Sequence, residues 1–269
     1  MLHLVKLKDV TLQVEDVGRG IPVVFVHGFP LNRTMWNAQW NSLQEDCRTI
    51  VPDLRGFGGS TVTPGTVTME QMADDLAAML DAMSITEPIV FCGLSMGGYV
   101  AWQFVQRHRN RLRGLILCDT RAAADSPEAA EGRRKTADQV VRLGAQSIAE
   151  AMQPKLFGET TMKERPEVVK AVREMILSTH VEGIAAAQRG MAQRPDVSGQ
   201  LEEIDVPTLV ICGEEDRISP VQEMAEIAEK IPIARFVVVP DSGHMTPMEV
   251  PEVVNEAIRN FLKDLTAEA

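Results

Sequence analysis

The residue pattern with the clearest chemical meaning is Gly-Leu-Ser-Met-Gly at positions 93–97, directly after the apolar stretch Pro88–Cys92. A serine flanked in this way, between a strand and a helix, lies on a sharp turn that presents its hydroxyl at the carboxyl edge of a sheet. A Cβ at either glycine position would crowd that turn. A serine so placed is typical of a nucleophile that forms a covalent intermediate. The pattern therefore predicts Ser95 as a catalytic nucleophile.

A serine hydroxyl is a weak nucleophile and needs a base. The histidines are His3, His27, His108, His180 and His244. The chain order of nucleophile, acid and histidine that accompanies this turn leaves only His180 and His244. His3 and His27 precede Ser95, and no acidic residue lies between Ser95 and His108. His180 lies in a helical region, where a surface histidine is the default. We predict His244 as the base, since its glycine turn follows the last strand at the same sheet edge, and we interpret His27 as structural.

The acid should orient the imidazole and stabilise its cation. Glu214, Glu215 and Asp216 follow an apolar strand in Cys-Gly-Glu-Glu-Asp, and Asp119 ends the preceding strand. The acid has to extend beyond the end of the strand and follow the glycine turn to reach the imidazole. These two requirements favour Asp216 over Glu214 and Glu215. Asp119 remains the competing candidate.

A tetrahedral intermediate needs two hydrogen-bond donors aimed at its oxyanion. After such a turn one donor is the backbone N–H of the next residue, here Met96. The second comes from the loop after an earlier strand, and in His-Gly-Phe-Pro the N–H of Phe29 is the best candidate. We expect Asp53 and Arg55 to fix the neighbouring loop, because its glycines lack a phosphate-binding spacing.

The elements that must position these residues alternate between short apolar strands and amphipathic helices, which is typical of a parallel sheet covered on both faces. Thr68 begins a capping box, and Pro251 stands at a first helical position. The predicted strands are Pro22–Val26, Thr49–Val51, Pro88–Cys92, Leu115–Cys118, Thr208–Cys212 and Arg235–Val239.

The segment 121–200 breaks this alternation, because it contains helical patterns but no convincing strand. Its part from Ala122 to Thr136 has the weakest pattern. We predict an α/β core formed by residues 1–120 and 201–269 and a helical cap formed by residues 121–200. The candidate pocket residues are Phe29, Met175, Met191 and Met245, since methionine gives an adaptable apolar lining.

The composition of the 269 residues is that of a globular protein, with 45% hydrophobic and 24% charged residues. The net charge of −11 disfavours nucleic acid and anionic membranes as partners. No apolar run approaches the ~20 residues of a membrane span, and the N-terminus lacks a signal-peptide core. Four scattered cysteines indicate buried free thiols, so we expect a cytoplasmic protein with no metal. Whether it forms a homo-oligomer stays open.

These motifs together resemble the α/β-hydrolase superfamily over essentially the whole chain. The matching pieces are HGFP at 27–30, DLRGFGGS at 53–60, GLSMGG at 93–98, GEED at 213–216 and SGH at 242–244. The resemblance implies an eight-stranded, mostly parallel sheet whose second strand is antiparallel, a helical cap inserted after the sixth strand, and no cofactor. The most similar group contains 3-oxoadipate enol-lactonases, small carboxylesterases and cofactor-free perhydrolases. Serine at the turn separates this chain from the dehalogenases and epoxide hydrolases, which carry aspartate there.

We therefore expect a serine hydrolase that cleaves small carboxylic esters through an acyl-enzyme. The alternatives are a lactone hydrolase like the enol-lactonases and a ligand-binding receptor with weak or no catalysis on the same fold. A dicarboxylic lactone would need a basic residue over the pocket, and no spacing argument selects one. The cap offers Arg121, Arg133, Arg134, Arg189 and Arg194.

Overall fold

The computed structural model describes residues 1–267, and its centre is an eight-stranded sheet. The strands are Leu2–Lys6 (β1), Thr11–Val17 (β2), Pro22–Val26 (β3), Arg48–Pro52 (β4), Ile89–Leu94 (β5), Leu112–Cys118 (β6), Thr208–Gly213 (β7) and Ala234–Val239 (β8). Their order is β1-β2-β4-β3-β5-β6-β7-β8. Strand β2 is antiparallel to both neighbours, and the strands from β4 to β8 are parallel. The predicted architecture is confirmed.

The central strands are apolar throughout because helices cover both faces of the sheet. Every residue of β3, β5 and β7 is buried. Because β3 to β8 run in one direction, their carboxyl ends meet at one edge of the sheet. The loops that begin at His27, Asp53, Ser95, Asp119 and Glu214 all leave from this edge.

Eleven α-helices connect and flank the strands in the described part of the chain. They are Asn37–Leu43 (α1), Met69–Ala82 (α2), Met96–Arg107 (α3), Pro127–Leu143 (α4), Ala145–Leu156 (α5), Glu159–Glu164 (α6), Pro166–Ser178 (α7), Val181–Met191 (α8), Val221–Lys230 (α9), Thr246–Glu249 (α10) and Pro251–Ala267 (α11). The Thr68 side chain accepts a hydrogen bond from the Gln71 N–H, as the capping box predicts. Helix α11 begins at Pro251.

Helices α4 to α8 all lie in the inserted segment, by which we mean residues 121–200 between β6 and β7. Helix α4 packs against α8, and α5 packs against α7. The part from Ala122 to Thr136, which has the weakest sequence pattern, is nonetheless helical from Pro127 onward, where α4 begins with Ser126 as its N-cap. The carboxylate of Asp125 binds both Arg133 and Arg194 and so fixes the start of this helix against the end of α8.

The four cysteines are buried free thiols, as predicted. Within residues 1–267, no helix has the length and apolar character needed to cross a membrane.

Candidate active site

Ser95 occupies a strained turn between β5 and α3. Its φ is 52°, in the left-handed region that non-glycine residues seldom adopt, and it is the residue before the first helical position of α3. A Cβ on Gly93 would lie 2.5 Å from the Gly97 carbonyl carbon, and one on Gly97 would lie 2.3 Å from the Val26 oxygen. Both flanking positions therefore require glycine, and the turn leaves Ser95 half-buried at the sheet edge.

Three predicted site residues come together in one hydrogen-bonded chain. The Ser95 hydroxyl lies 2.9 Å from His244 Nε2, and His244 Nδ1 lies 2.8 Å from Asp216 Oδ2. An ionised carboxylate accepts hydrogen bonds and does not donate them, so the proton between Asp216 and His244 must be on Nδ1. His244 Nε2 is then unprotonated and can accept the Ser95 proton. His244 and Asp216 are 3% and 5% exposed. The arrangement can deprotonate a hydroxyl and stabilise the resulting imidazolium.

The carboxylate of Asp216 is held by hydrogen bonds in addition to the one from His244. Its Oδ1 accepts from the amides of Ile218 at 2.7 Å and Ser219 at 3.1 Å, and its Oδ2 accepts from the Ser219 hydroxyl at 2.6 Å. Burial acts to raise the pKa of Asp216, but the His244 charge and these hydrogen bonds outweigh it and lower the pKa. Asp216 is therefore ionised where it faces His244.

Asp119, the competing acid, lies beside this chain but binds other groups. Its Oδ1 accepts from the Gly213 amide at 2.9 Å, and its Oδ2 is bonded to the Thr246 hydroxyl. Burial and the charge of Asp216 raise the pKa of Asp119 well above its usual value. Asp119 thus supports the two loops that carry Asp216 and His244 without contacting the imidazole through a hydrogen bond.

We expect Asp119→Asn to gain stability relative to the wild type as the pH rises. Unfolded Asp119 releases its proton near pH ~4, whereas its raised pKa keeps the folded side chain protonated at higher pH. The contribution of Asp119 to the free energy of unfolding is therefore fully present below pH ~4 and is lost as the pH rises toward the folded pKa. Asparagine lacks this dependence. Urea unfolding of both proteins at about pH 5 and about pH 8 measures it, and a constant difference would contradict the protonated assignment.

The loop 27–30 lies against the serine turn from the neighbouring strand β3. A Cβ on Gly28 would lie 3.5 Å from the Ser95 Cβ, which shows how closely the two segments approach. Across residues 1–267, no intramolecular acceptor pairs with the amide of Phe29 or with that of Met96. The Met96 amide is also at the N-terminus of α3, where the helix dipole favours negative charge. Both amides are available to an oxyanion.

His27 and Asp53 hydrogen-bond to the loops beside the serine turn and have a structural role. His27 is fully buried, its Nδ1 donates to the Gly28 oxygen at 2.9 Å, and its Nε2 accepts from the Leu54 amide at 3.0 Å. Burial lowers the pKa of His27, which keeps the ring neutral. Asp53 accepts from the Arg33 amide and guanidinium, both at 2.7 Å. His27 and Asp53 together hold the loop that carries Phe29 to the adjacent loop.

The four candidate pocket residues lie on four different segments. Phe29 packs edge-on against Phe57, with ring centroids 6.3 Å apart. Met175 of α7 accepts from the Thr34 hydroxyl at 3.4 Å, and buried Met191 ends α8. Met245 is buried next to His244. His180, by contrast, is exposed and caps α8 away from this chain of hydrogen bonds.

Asp119, Cys212 and Asp216 bring three metal-type ligand atoms within 4.8 Å of one another. A thiol binds metal as the thiolate, and burial raises the pKa of the Cys212 thiol. Asp216 is already bound to His244 and Ser219. These properties disfavour a metal ion in this cluster.

Two residues that sequence reasoning does not single out also contact the site. Ser219 donates to Asp216, and its hydroxyl lies 3.3 Å from His244 Nδ1. Glu249 is a buried carboxylate that binds the backbone on both sides of His244. Ser219 could have been found from the sequence, because a serine three residues after Asp216 is close enough to donate a hydrogen bond to its carboxylate. Glu249 acts through backbone amides, which no side-chain motif reveals.

Comparison with known proteins gives the same assignment for the fold. The family model described as alpha/beta hydrolase fold matches residues 21–251. The structure of a thermophilic esterase from Thermogutta terrifontis is 52% identical, with a TM-score of 0.96 over 98% of this chain and 99% of that one. The AB hydrolase superfamily protein YisY of Bacillus subtilis is 33% identical over 97% of this chain and 99% of its own length. The 3-oxoadipate enol-lactonase 2 of Acinetobacter baylyi is 27% identical over 95% and 94%. The predicted resemblance is confirmed: this chain is a hydrolase that belongs to the alpha/beta hydrolase fold family.

Proposed function

We propose that this protein is a carboxylesterase that cleaves small carboxylic esters through an acyl-enzyme. Ser95 is the nucleophile, His244 the general base and acid, and Asp216 the residue that orients His244. The amides of Phe29 and Met96 form the oxyanion hole. The single observation that carries the proposal is the continuous path from the Ser95 hydroxyl through His244 to Asp216, at 2.9 and 2.8 Å.

The proposed reaction has two halves that use the same atoms. Ser95 Oγ attacks the ester carbonyl while its proton passes to His244 Nε2, and the carbonyl oxygen becomes an oxyanion. The amides of Phe29 and Met96 stabilise that oxyanion, and collapse expels the alcohol with the proton from Nε2. Water then attacks the acyl-enzyme, with His244 again accepting a proton, and the acid leaves as Ser95 is restored.

The charged residues of the inserted segment favour neutral esters over a dicarboxylic lactone. Each of its five candidate arginines is paired with a carboxylate. The pairs are Arg121 with Glu223, Arg133 and Arg194 with Asp125, Arg134 with Glu131, and Arg189 with Asp138. A second carboxylate on the substrate would have to compete with an existing ion pair.

A substrate panel tests the ester assignment against the lactone and receptor alternatives. Purified protein is given p-nitrophenyl acetate, butyrate and octanoate and, separately, an enol-lactone that carries a free carboxylate. We expect kcat/KM for the preferred ester to exceed that for the lactone. A higher value for the lactone would replace this proposal with lactone hydrolysis. Binding of an ester without turnover would indicate a receptor.

We further propose that the inserted segment, residues 121–200, is a cap that shapes the acyl pocket. Met175→Ala and Met191→Ala should change the octanoate-to-acetate ratio of kcat/KM, by ~1–3 kcal/mol per methylene-sized change in the pocket. The rate on the acetate ester should change little, because a short acyl group does not reach the cap. The measurement is kcat/KM for the three esters on each folded variant.

Met162→Ala is the matched control, because Met162 lies in the same segment on α6 but is 45% exposed. We expect it to leave the ratio unchanged. If every variant lowers all three rates by the same factor, the cap does not define the acyl pocket.

A further inference from the structure

Glu249 ends the short helix α10 and contacts three backbone amides with its carboxylate. Its Oε1 accepts from the amides of Gly243 and Met245, each at 2.9 Å. Its Oε2 accepts from the amide of Gly158 at 2.8 Å. Gly158 belongs to the junction between α5 and α6 in the inserted segment. One carboxylate therefore joins the His244 loop to that junction.

The surroundings of Glu249 are unusual for a carboxylate. The residue is only 2% exposed, and its carboxylate accepts its hydrogen bonds from backbone amides. The Arg165 guanidinium donates to the Glu249 backbone oxygen instead. Removing a carboxylate from water is costly unless it is fully hydrogen-bonded. Here the backbone amides of Gly158, Gly243 and Met245 supply those hydrogen bonds. The buried carboxylate therefore depends on the conformation of these backbone segments, and their conformation depends on the carboxylate.

The bonds to Glu249 fall on both sides of the base. Gly243 precedes His244 and Met245 follows it, and their amides meet at the same oxygen. The amide of His244 itself donates to the Leu156 oxygen at 2.9 Å, again at the end of α5. Three consecutive amides are thus held by Glu249 and by the inserted segment. This fixes the peptide that carries the imidazole, while Asp216 fixes only the ring.

We infer that Glu249 is a positioning residue that holds His244 Nε2 at the distance and angle required for proton transfer from Ser95. The inference rests on the proposed function, because it assigns Glu249 to the same reaction. A displacement of ~1 Å in a catalytic group can lower the rate by ~100-fold. Loss of the Glu249 bonds should therefore lower kcat and leave substrate binding nearly unchanged.

Two variants test the inference in graded steps. In E249Q the amide can keep an oxygen toward Gly243 and Met245, but its NH₂ group then faces the Gly158 amide. In E249M all three acceptors are lost at similar side-chain volume. We expect kcat to fall ~10-fold in E249Q and ~100-fold in E249M, with KM within about twofold of the wild type. Both variants are first shown to be folded by circular dichroism and urea unfolding, and E249Q decides if E249M does not fold.

The matched control is E215Q. Glu215 accepts from the Glu159 amide at 2.6 Å and so also contacts the inserted segment, but its side chain binds none of the three amides around His244. We expect E215Q to retain the wild-type kcat. Equal losses in E215Q and the Glu249 variants, or an unchanged kcat in both Glu249 variants, would overturn the inference. Failure of the wild type to hydrolyse any of the three esters would instead overturn the proposed function.

Discussion

Ser95→Ala should lower kcat for ester hydrolysis by ~10⁶-fold. The reason is that, among residues 1–267, Ser95 supplies the hydroxyl that hydrogen-bonds His244 Nε2, at 2.9 Å, and proton transfer and attack are coupled at that position. A residual acceleration over buffer of ~10³–10⁴-fold should persist, because the Phe29 and Met96 amides still stabilise the oxyanion. Steady-state hydrolysis of p-nitrophenyl acetate by the variant, measured against buffer, gives both numbers.

The control for this substitution is Ser147→Ala, because Ser147 is a half-buried serine of α5 whose hydroxyl donates to the Gly144 oxygen. It should keep wild-type activity. A Ser95→Ala protein that is folded and retains a substantial fraction of the wild-type kcat would contradict the assignment of the nucleophile.

Asp216→Asn should lower kcat by ~10⁴-fold, whereas Asp119→Asn should change it by no more than about threefold. An amide at position 216 presents its NH₂ group or a weaker acceptor to His244, so the ring is no longer held with its proton on Nδ1. Asparagine at 119 can still accept from the Gly213 amide through its oxygen. The Thr246 hydroxyl donates to Asp119 in the wild type, and in the variant the NH₂ group can donate to the Thr246 hydroxyl oxygen instead.

The two aspartates are matched in burial and lie at adjacent strand ends, so each serves as the control for the other. Their kcat values are compared at neutral pH after both variants are shown to be folded. If Asp119→Asn is the more damaging change, the acid has been assigned to the wrong strand.

The sheet and the serine turn could be predicted because their signals are local. Strand β3 has the predicted bounds, Pro22–Val26. A continuous apolar run that ends at a polar residue, here His27, can be recognised as a strand from the neighbouring residues alone. Strand β6 begins three residues before the predicted Leu115, at Leu112. Arg113 and Gly114 interrupt the apolar pattern there, and the register shifts between Leu112, which pairs with Ile89, and Gly114, which pairs with Val90.

The start of the inserted segment could not be predicted in the same way. Helix α4 has few apolar residues, and Asp125 is fixed by Arg194, which is far away in the sequence. The local signal that was available is Ser126 followed by Pro127, a helix cap and first-turn pair. A polar helix held by distant ion pairs leaves little periodicity for sequence reasoning to detect.

The candidate site shows the same division. Spacing and chain order selected Ser95, His244 and Asp216, and the structure brings their side chains within hydrogen-bond distance. The choice between Asp216 and Asp119 depends on which carboxylate faces the imidazole, and that is set by loop geometry. Glu249 joins loops about ninety residues apart through amides, which every residue except proline carries.

The role of Ser95 as nucleophile is tested most directly by identifying the residue that becomes covalently modified. The protein is treated with a fluorophosphonate, and its intact mass and peptide masses are measured. We predict a single adduct on the peptide that contains Ser95, formed with loss of ester hydrolysis and absent from Ser95→Ala. Full hydrolytic activity after stoichiometric labelling elsewhere, or labelling of Ser95→Ala at the same rate, would contradict the account.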